Sequence, residues 1–434
     1  MLNRRQFLIT AAGAAMLTVA GCAVTSHKGN TAYQATAITQ VFGDGMRLTA
    51  VAVEYPYAVV SAQLDKTQYT VDNRNITGVY VSQSVSGVPS ASGRFVIITL
   101  NPDDDAALLV QKNPPTNKSG QDIAKNGPGN AGDIQESAPT LKAAQAQIQI
   151  ADTVLLDTDR SVNLVFDAFK QYEYHDAATG KTVRYNLFVP QIRTDERLPL
   201  VLFMHDAGVT GKFTQATLYQ GNGAIAWATP QAQAEHPCFV LAPQFDEIIA
   251  DDSSHTSNYM AATINLIKQL QQDHAIDGTR LYTTGQSGGG MMSIAMNIAY
   301  PDFFAASYLV ACQWNADLLT PNMVGVKWWI TVSEDDNKAY PGEILITQKL
   351  SEFGAKVARA QWNAQWSAAE FQAAYQAMAS QQANVNFVHF QKGSVFKTAA
   401  QANAGGASGH TATWQYAYNI TPIRNWVFAQ RKLT

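Results

Sequence analysis

Gly285-Gln286-Ser287-Gly288-Gly289 stands between an apolar strand-like run, Arg280-Leu281-Tyr282-Thr283-Thr284, and a helix-like run, Met291-Met292-Ser293-Ile294-Ala295-Met296. When a strand turns straight into a helix over Gly-x-Ser-x-Gly, the two flanking backbones nearly touch, so Gly285 and Gly289 have no room for side chains. The serine at the tip is driven into a sparsely populated backbone region. That strain amounts to about 1–3 kcal/mol, which the surrounding sheet must absorb. Such a turn presents its serine as a nucleophile, which implies ester-type hydrolysis and fixes where the serine's partners should lie.

The chain on either side of this turn reads in two grammars. From about residue 31 to 170 short strands alternate with turns: Leu48 to Val53, Ala58 to Val60, Gly78 to Val81 and Phe95 to Leu100, with Gly43-Asp44-Gly45 and Asp72-Asn73 as turn signals. Helical periodicity is scarce there, which predicts an immunoglobulin-like β-sandwich. The stretch from Asp103 to Ala144, rich in Pro, Gly, Asn and Lys, reads as an excursion or mobile loop. Asp103-Asp104-Asp105 lacks the spacing of a calcium loop and reads as a solvated turn, so no metal is expected.

Residues 171–434 alternate buried-strand runs with helices after a hairpin whose tip is Ala177 to Lys181. Strands are expected at Pro199 to Met204, Phe239 to Ala242, Leu281, Ser307 to Val310, Trp328 to Val332 and Val385 to Phe390. Helices are expected at Met260 to Leu270, from Met291, over Ala355 to Gln382, and from Trp414 to Gln430. That pattern is an α/β fold: a mostly parallel sheet with helices on both faces and sites at the carboxyl ends of its strands.

Charged residues are only 15% of the 434 and the net charge is −4, which excludes a nucleic-acid binder. The N-terminus reads as an export address. Asn3-Arg4-Arg5-Gln6-Phe7-Leu8 resembles a twin-arginine signal, and Val19-Ala20-Gly21-Cys22 resembles a bacterial lipobox in which Cys22 becomes the lipidated first residue. Residues 1–22 are then a signal peptide and 23–30 a linker. The mature protein would be tied to a membrane through Cys22. Ala23, rather than Asp, after the cysteine resembles lipoproteins sent to the outer membrane, facing the periplasm or the surface. The two remaining cysteines, Cys238 and Cys312, fall at opposite ends of their predicted strands and are expected as free, buried thiols.

A serine hydroxyl needs a base, and the base needs an orienting acid. In an α/β sheet of this type they follow in the order Ser, Asp or Glu, His, each on a loop after a strand. After Trp328 to Val332 comes Ser333-Glu334-Asp335-Asp336-Asn337, and after the last strand a Gly-rich loop delivers His410 to the head of the final helix. Of the eight histidines only His389 and His410 follow the acidic loop, and His389 sits inside a strand, so His410 is the expected base. Glu334, Asp335 and Asp336 are all candidates for the acid; Ser333-Glu334-Asp335-Asp336 resembles, in spacing from the strand end, the Gly-x-x-Asp loop common in hydrolases of this fold, which favours Asp336, with Asp335 next. An oxyanion hole needs two backbone N–H groups, each worth about 3–4 kcal/mol of barrier. Gly288 supplies one. The turn His205-Asp206-Ala207-Gly208, which resembles the His-Gly-x-Gly turn of many esterases with Asp206 in place of its first glycine, is expected to supply the other through Ala207, with His205 as a packing residue. Trp362 and Trp366, four apart, would either shape a lid over the pocket or bury against the sheet, and Trp314 is expected near the active edge.

These strings, together with Ala242-Pro243-Gln244, Glu334 to Pro341 and Gly409-His410-Thr411-Ala412-Thr413-Trp414, resemble bacterial esterases that place an immunoglobulin-like domain before an α/β-hydrolase domain. That hydrolase domain is similar to those of polyhydroxyalkanoate depolymerases and feruloyl esterases. The resemblance implies Ser287 as nucleophile, His410 as base, Asp336 as orienting acid, no cofactor, and a small-molecule or polymeric ester as substrate. Two other readings of the same strings are a serine peptidase of prolyl-oligopeptidase-like chemistry and a polymer-binding envelope lipoprotein with an inactive hydrolase domain.

Overall fold

The computed structural model of the protein describes residues 33–112, 129–191, 196–404 and 407–432. The expected signal peptide, its Cys22 and the linker lie outside the described residues.

The first half folds from β1 (Gln34–Phe42), β2 (Gly45–Val60), β3 (Tyr69–Val71), β4 (Ile76–Ser82), β5 (Ser92–Leu100), β6 (Val110–Gln111), β7 (Thr140–Leu141), β8 (Gln147–Ile150), β9 (Val154–Asp157) and β10 (Arg160–Asn163). A five-stranded sheet, β10-β1-β2-β5-β4, faces a three-stranded one, β3-β8-β9. The period-2 alternation of the long strands makes this a sandwich. Ala35, Ala37, Val51, Val53, Val96 and Ile98 pack in one core with Tyr69, Val71, Ile148 and Ile150. Ile38, Ala50, Ala52 and Ile97 collect on the opposite face with Tyr80 and Phe95.

One expectation here is corrected. Asp104 is not part of a solvated turn: its carboxylate accepts from Arg74 Nε at 3.1 Å, from Asn75 N at 2.8 Å and from Asn75 Nδ2 at 2.7 Å, and the Arg74 and Asp104 side chains are both buried. A guanidinium inside a small sandwich demands such a partner, and Asp104 is placed to supply it.

The second half is a nine-stranded sheet in the order β11-β12-β14-β13-β15-β16-β17-β19-β18. Its strands are β11 (Lys170–Asp176), β12 (Lys181–Phe188), β13 (Leu198–Met204), β14 (Phe239–Gln244), β15 (Ile276–Gln286), β16 (Ala306–Val310), β17 (Trp328–Ser333), β18 (Val357–Trp362) and β19 (Val385–Phe390). The β11–β12 hairpin and its pairing to β14 are antiparallel and every other pairing is parallel. β13, β14, β16 and β17 are buried almost end to end, as strands covered by helices on both faces must be. The main helices are α1 (Tyr259–Asp273), α2 (Gly288–Ala299), α3 (Ala339–Glu352), α4 (Ala368–Ala379), α5 (Ser408–Ala417) and α6 (Thr421–Phe428). Cys238 and Cys312 are free and buried.

Two expected helices are not what forms. The stretch Ala355 to Gln382 is divided into β18 and α4. Val357 to Trp362 alternates in burial and pairs with β19. Ser367 and Glu370 then form a reciprocal capping box that starts a fresh helix at Ala368. Trp362 therefore lies on an edge strand rather than one helical face, and its buried ring packs against Trp329, Trp366 and Phe371 at 5.8–6.3 Å. It is a core residue of the sheet edge and not part of a lid. The expected final helix is likewise broken into α5 and α6, the latter starting afresh with Pro422 in its first turn.

Trp362→Ala is expected to destabilise the protein by about 3–5 kcal/mol, as for other buried tryptophans, with little change in KM for a soluble substrate. A lid residue would give the reverse pattern, so thermal melting and steady-state kinetics on one variant separate the two.

Candidate active site

The turn at the end of β15 has the strained form the sequence demands. Ser287 has φ 49° and ψ −122°. Its N–H donates to Val310 O at the end of β16, at 3.0 Å, and its carbonyl accepts the first helical bond of α2 from Met291 N at 2.9 Å. A Cβ on Gly285 would lie 2.4 Å from the carbonyl carbon of Gly289, and one on Gly289 would lie 2.0 Å from Met204 O. The two glycines thus let β15, α2 and the end of β13 meet at one point. Gly290 extends the same packing, since a Cβ there would collide with Cys312 at 2.8 Å.

The turn after β13 closes on this elbow. Ala207 opens a short 3-10 turn, Ala207–Val209, capped by Asp206, whose Oδ1 accepts from Gly208 N at 2.9 Å. Asp206 Oδ2 accepts from Gln286 Nε2, also at 2.9 Å, so one carboxylate shapes the turn and ties it to the residue before the serine. Replacing the usual glycine therefore adds a cap and a tether. A Cβ placed on Gly288 would lie 3.8 Å from the Ala207 nitrogen, which puts the two expected N–H donors beside each other at the amino end of α2. The partial positive charge of a helix amino terminus favours an anion at that position. His205 is buried, its Nδ1 2.8 Å from Asp206 O and its Nε2 accepting from Phe245 N at 3.1 Å. Burial pulls its basicity down, and both ring nitrogens are committed to the backbone. It is the packing residue expected.

The acidic loop sorts its three carboxylates. Glu334 meets His389 Nδ1 at 2.8 Å and accepts from Gln361 Nε2 at 2.6 Å. Asp335 accepts from Gly393 N at 2.6 Å and from Ser333 Oγ at 3.2 Å. Asp336 alone turns inward to His410, Oδ2 to Nδ1 at 2.5 Å, while its Oδ1 accepts from Lys338 N at 3.1 Å and Ala339 N at 2.9 Å at the head of α3. Burial pushes the Asp336 carboxyl up. The His410 hydrogen bond and charge, with the two backbone N–H groups, outweigh that and hold it below its ordinary value. With Nδ1 donating to Asp336, His410 Nε2 is left as an acceptor. Gly409 makes this meeting possible, because a Cβ there would lie 2.5 Å from Asp335 O. Trp414 sets its edge against the His410 ring at 5.0 Å. α5 packs on β16 and β17, and Ser287 is anchored at the carboxyl end of β16. Trp314 is buried just beyond β16.

One residue of this region was not singled out in the sequence. Glu343 is fully buried on α3, its Oε1 accepting from Cys312 N at 3.0 Å. Burial pushes its carboxyl well above the usual range and the nearby charge of Asp336 adds to the push, against a smaller opposing effect of the Cys312 N–H. The signal was present, since Glu343 occupies the buried stripe of Ala339, Ile346 and Leu350 where an apolar residue belongs. Among the described residues, no group of three or more His, Cys, Asp and Glu side chains is arranged to hold a metal ion.

Glu343→Gln gives a pH test with a definite sign. The folded chain keeps the Glu343 proton after the unfolded chain has lost it, so its contribution to stability falls as pH rises above the ordinary glutamate range. Relative to wild type, Glu343→Gln is expected to melt progressively higher between pH 5 and pH 8; a difference independent of pH contradicts the assignment. Asp206→Ala is expected to lower kcat by about 10–100-fold, less than the 10²–10³ typical of removing an oxyanion donor outright, with KM little changed in steady-state assays.

Residues 34–163 match the esterase Ig-like N-terminal domain family, and residues 183–315 match the esterase PHB depolymerase family, a span that includes the Ser287 elbow and ends before Asp336 and His410. No curated protein sequence matches the chain. Among solved structures, a thermostable esterase matches at a TM-score of 0.72 and 22% identity, over 92% of this chain and 100% of that one, which shows a shared two-domain fold. A ferulic acid esterase matches at 0.35, with 12% identity over 59% of this chain and 98% of its own. A feruloyl esterase module from Clostridium thermocellum matches at 0.41, with 11% identity over 58% and 86%. Those two scores are too low to carry an argument. With both family matches in this order on one chain, the protein is a serine esterase whose Ig-like N-terminal domain is followed by an α/β domain similar, over residues 183–315, to the esterase PHB depolymerase family.

Proposed function

We propose that the protein is an exported carboxylic ester hydrolase working through Ser287, His410 and Asp336 by way of an acyl-enzyme. The observation that carries this reading is the His410–Asp336 pair, set on the same sheet edge as a serine held in a strained, helix-capping conformation. Ser287 Oγ attacks the ester carbonyl and His410 Nε2 takes its proton. The negative oxygen that forms is met by the N–H groups of Gly288 and Ala207. Collapse of this intermediate expels the alcohol, protonated by His410, and leaves the acyl group on Ser287. Water, activated by His410, then releases the acid by the same steps in reverse roles. Asp336, ionised throughout the working range, keeps the proton on Nδ1 and offsets the charge of the imidazolium.

The twin-arginine string and the lipobox support export and anchoring at Cys22, with the folded domains held at the outer membrane through a lipidated linker. Membrane attachment is read by fractionation: Cys22→Ser should appear in the soluble fraction, and retention in the membrane contradicts the anchor.

The chemistry is tested with p-nitrophenyl esters of short acids and a fluorophosphonate probe. Wild type should hydrolyse the esters and be labelled at Ser287, and Ser287→Ala should do neither. Asp336→Asn should stay folded and lose about 10⁴ in kcat, the scale seen when the histidine is left in the wrong tautomer. Full activity in Ser287→Ala would overturn the proposal.

A further inference from the structure

The expected excursion of the N-terminal domain does not simply leave the fold: residues 129–139 lie along the catalytic domain and bind it largely by backbone. Gly132 N donates to Ile248 O and Ile248 N to Asp133 O, both at 2.9 Å, Gln135 N donates to Asp246 O at 3.1 Å, and Ala131 N donates to the buried Asp251 carboxylate at 2.9 Å. The segment then reaches the turn beside the nucleophile. Ser137 N and Ala138 N both donate to Thr210 O, at 2.7 and 2.9 Å, and Lys212 N donates to the Glu136 carboxylate at 3.3 Å. The Tyr219 hydroxyl donates to Pro139 O. A Cβ on Gly211 would displace the Glu136 carboxylate, lying 2.5 Å from its Oε1, and press on the Ala138 methyl at 3.0 Å.

Thr210 is the residue on which the Ala207 turn ends, its N–H donating to Ala207 O at 3.2 Å. The turn is therefore held at both ends: by Asp206 at its start, from within the catalytic domain, and by Ser137 and Ala138 at its exit, from the N-terminal domain. A second contact lies on the histidine side. Gly43, in the β1–β2 turn, is pressed against the backbone of Gln415 on α5, where a Cβ would lie 2.3 Å from Gln415 O.

We propose that residues 136–138 of the N-terminal domain are positioning residues for the oxyanion hole, fixing the Ala207 N–H through Thr210. This rests on the reading of Ala207 as a donor to the transition state. Two N–H groups on one carbonyl, with a carboxylate on the next turn, hold that carbonyl's direction, and a donor displaced by a fraction of an ångström loses much of its value at a developing charge.

The test uses the full chain. Ser137→Pro removes one N–H from Thr210, while Ser137→Ala keeps it. Gly211→Val pushes a branched side chain into the same contact from the catalytic side and serves if Ser137→Pro does not fold. The expected result for Ser137→Pro or Gly211→Val is a kcat lower by about tenfold, KM within about twofold, and affinity for a trifluoromethyl ketone, which forms a tetrahedral adduct on the serine, reduced by the same factor as kcat/KM. Ser137→Ala should restore wild-type values. Unchanged kcat and ketone affinity in a folded variant, or a loss of melting temperature with no kinetic change, overturns the positioning role. The Ser287→Ala control is read alongside: if it is inert while Ser137→Pro is fully active, this inference fails and the proposed chemistry stands, whereas an active Ser287→Ala removes both.

Discussion

The close crossing at Gly285, Ser287 and Gly289 is the constraint from which the rest of the catalytic half follows. A Cβ on either glycine would sit within 2.4 Å of backbone, so β15 can turn into α2 only if both positions stay bare. The crossing has a strained residue at its tip, and the strain persists because three neighbours over-determine it: Val310 O fixes the Ser287 amide, α2 takes its carbonyl, and Met204 abuts Gly289. Everything else in the site is placed relative to that point. The Ala207 turn leaves β13 next to it, and the acidic loop and His410 arrive from β17 and β19 on the same edge.

The edge sets the amino end of α2 and the Ala207 turn, with the Asp206 carboxylate tying the two together, opposite the carboxylates of the loop after β17 and of α3. Around Ala207 and Gly288, backbone N–H groups and the amino end of α2 gather partial positive charge. On the other side Asp336, at the head of α3, is held below the ordinary carboxylate range, while burial pushes Glu343, packed behind Cys312, well above it. One buried carboxylate is held below its ordinary range by a histidine and two N–H groups, and a second nearby, with one backbone N–H, is pushed well above it. The contrast follows the number of partners: a buried carboxylate is kept in its ionised range only by several donors.

Much of this is legible in the sequence because the signals are local. The Gly-x-Ser-x-Gly string, the acidic loop at a strand end and the Gly-rich approach to His410 each sit beside a recognisable strand. By its residue types alone the acidic loop does not display which carboxylate turns inward; only its likeness in spacing to a known loop points to Asp336. Asp335 and Asp336 are alike in type and differ only in the direction the loop gives them, and it is Asp336 that meets His410. β18 was hidden for a different reason. Val357-Ala358-Arg359-Ala360-Gln361-Trp362 mixes helix-forming residues into an edge strand, where tertiary pairing to β19 overrides propensity. Asp104 and the 129–139 segment were illegible because their partners are distant in the chain. The latter binds through backbone groups, which any sequence possesses.

The most direct measurement of the account is rapid-quench mass spectrometry during turnover of a short-chain p-nitrophenyl ester. The account predicts a transient adduct of one acyl group on the peptide that contains Ser287, forming with the burst of nitrophenol and absent from Ser287→Ala. Turnover with the acyl group on another residue, or an undiminished burst from Ser287→Ala, would contradict it.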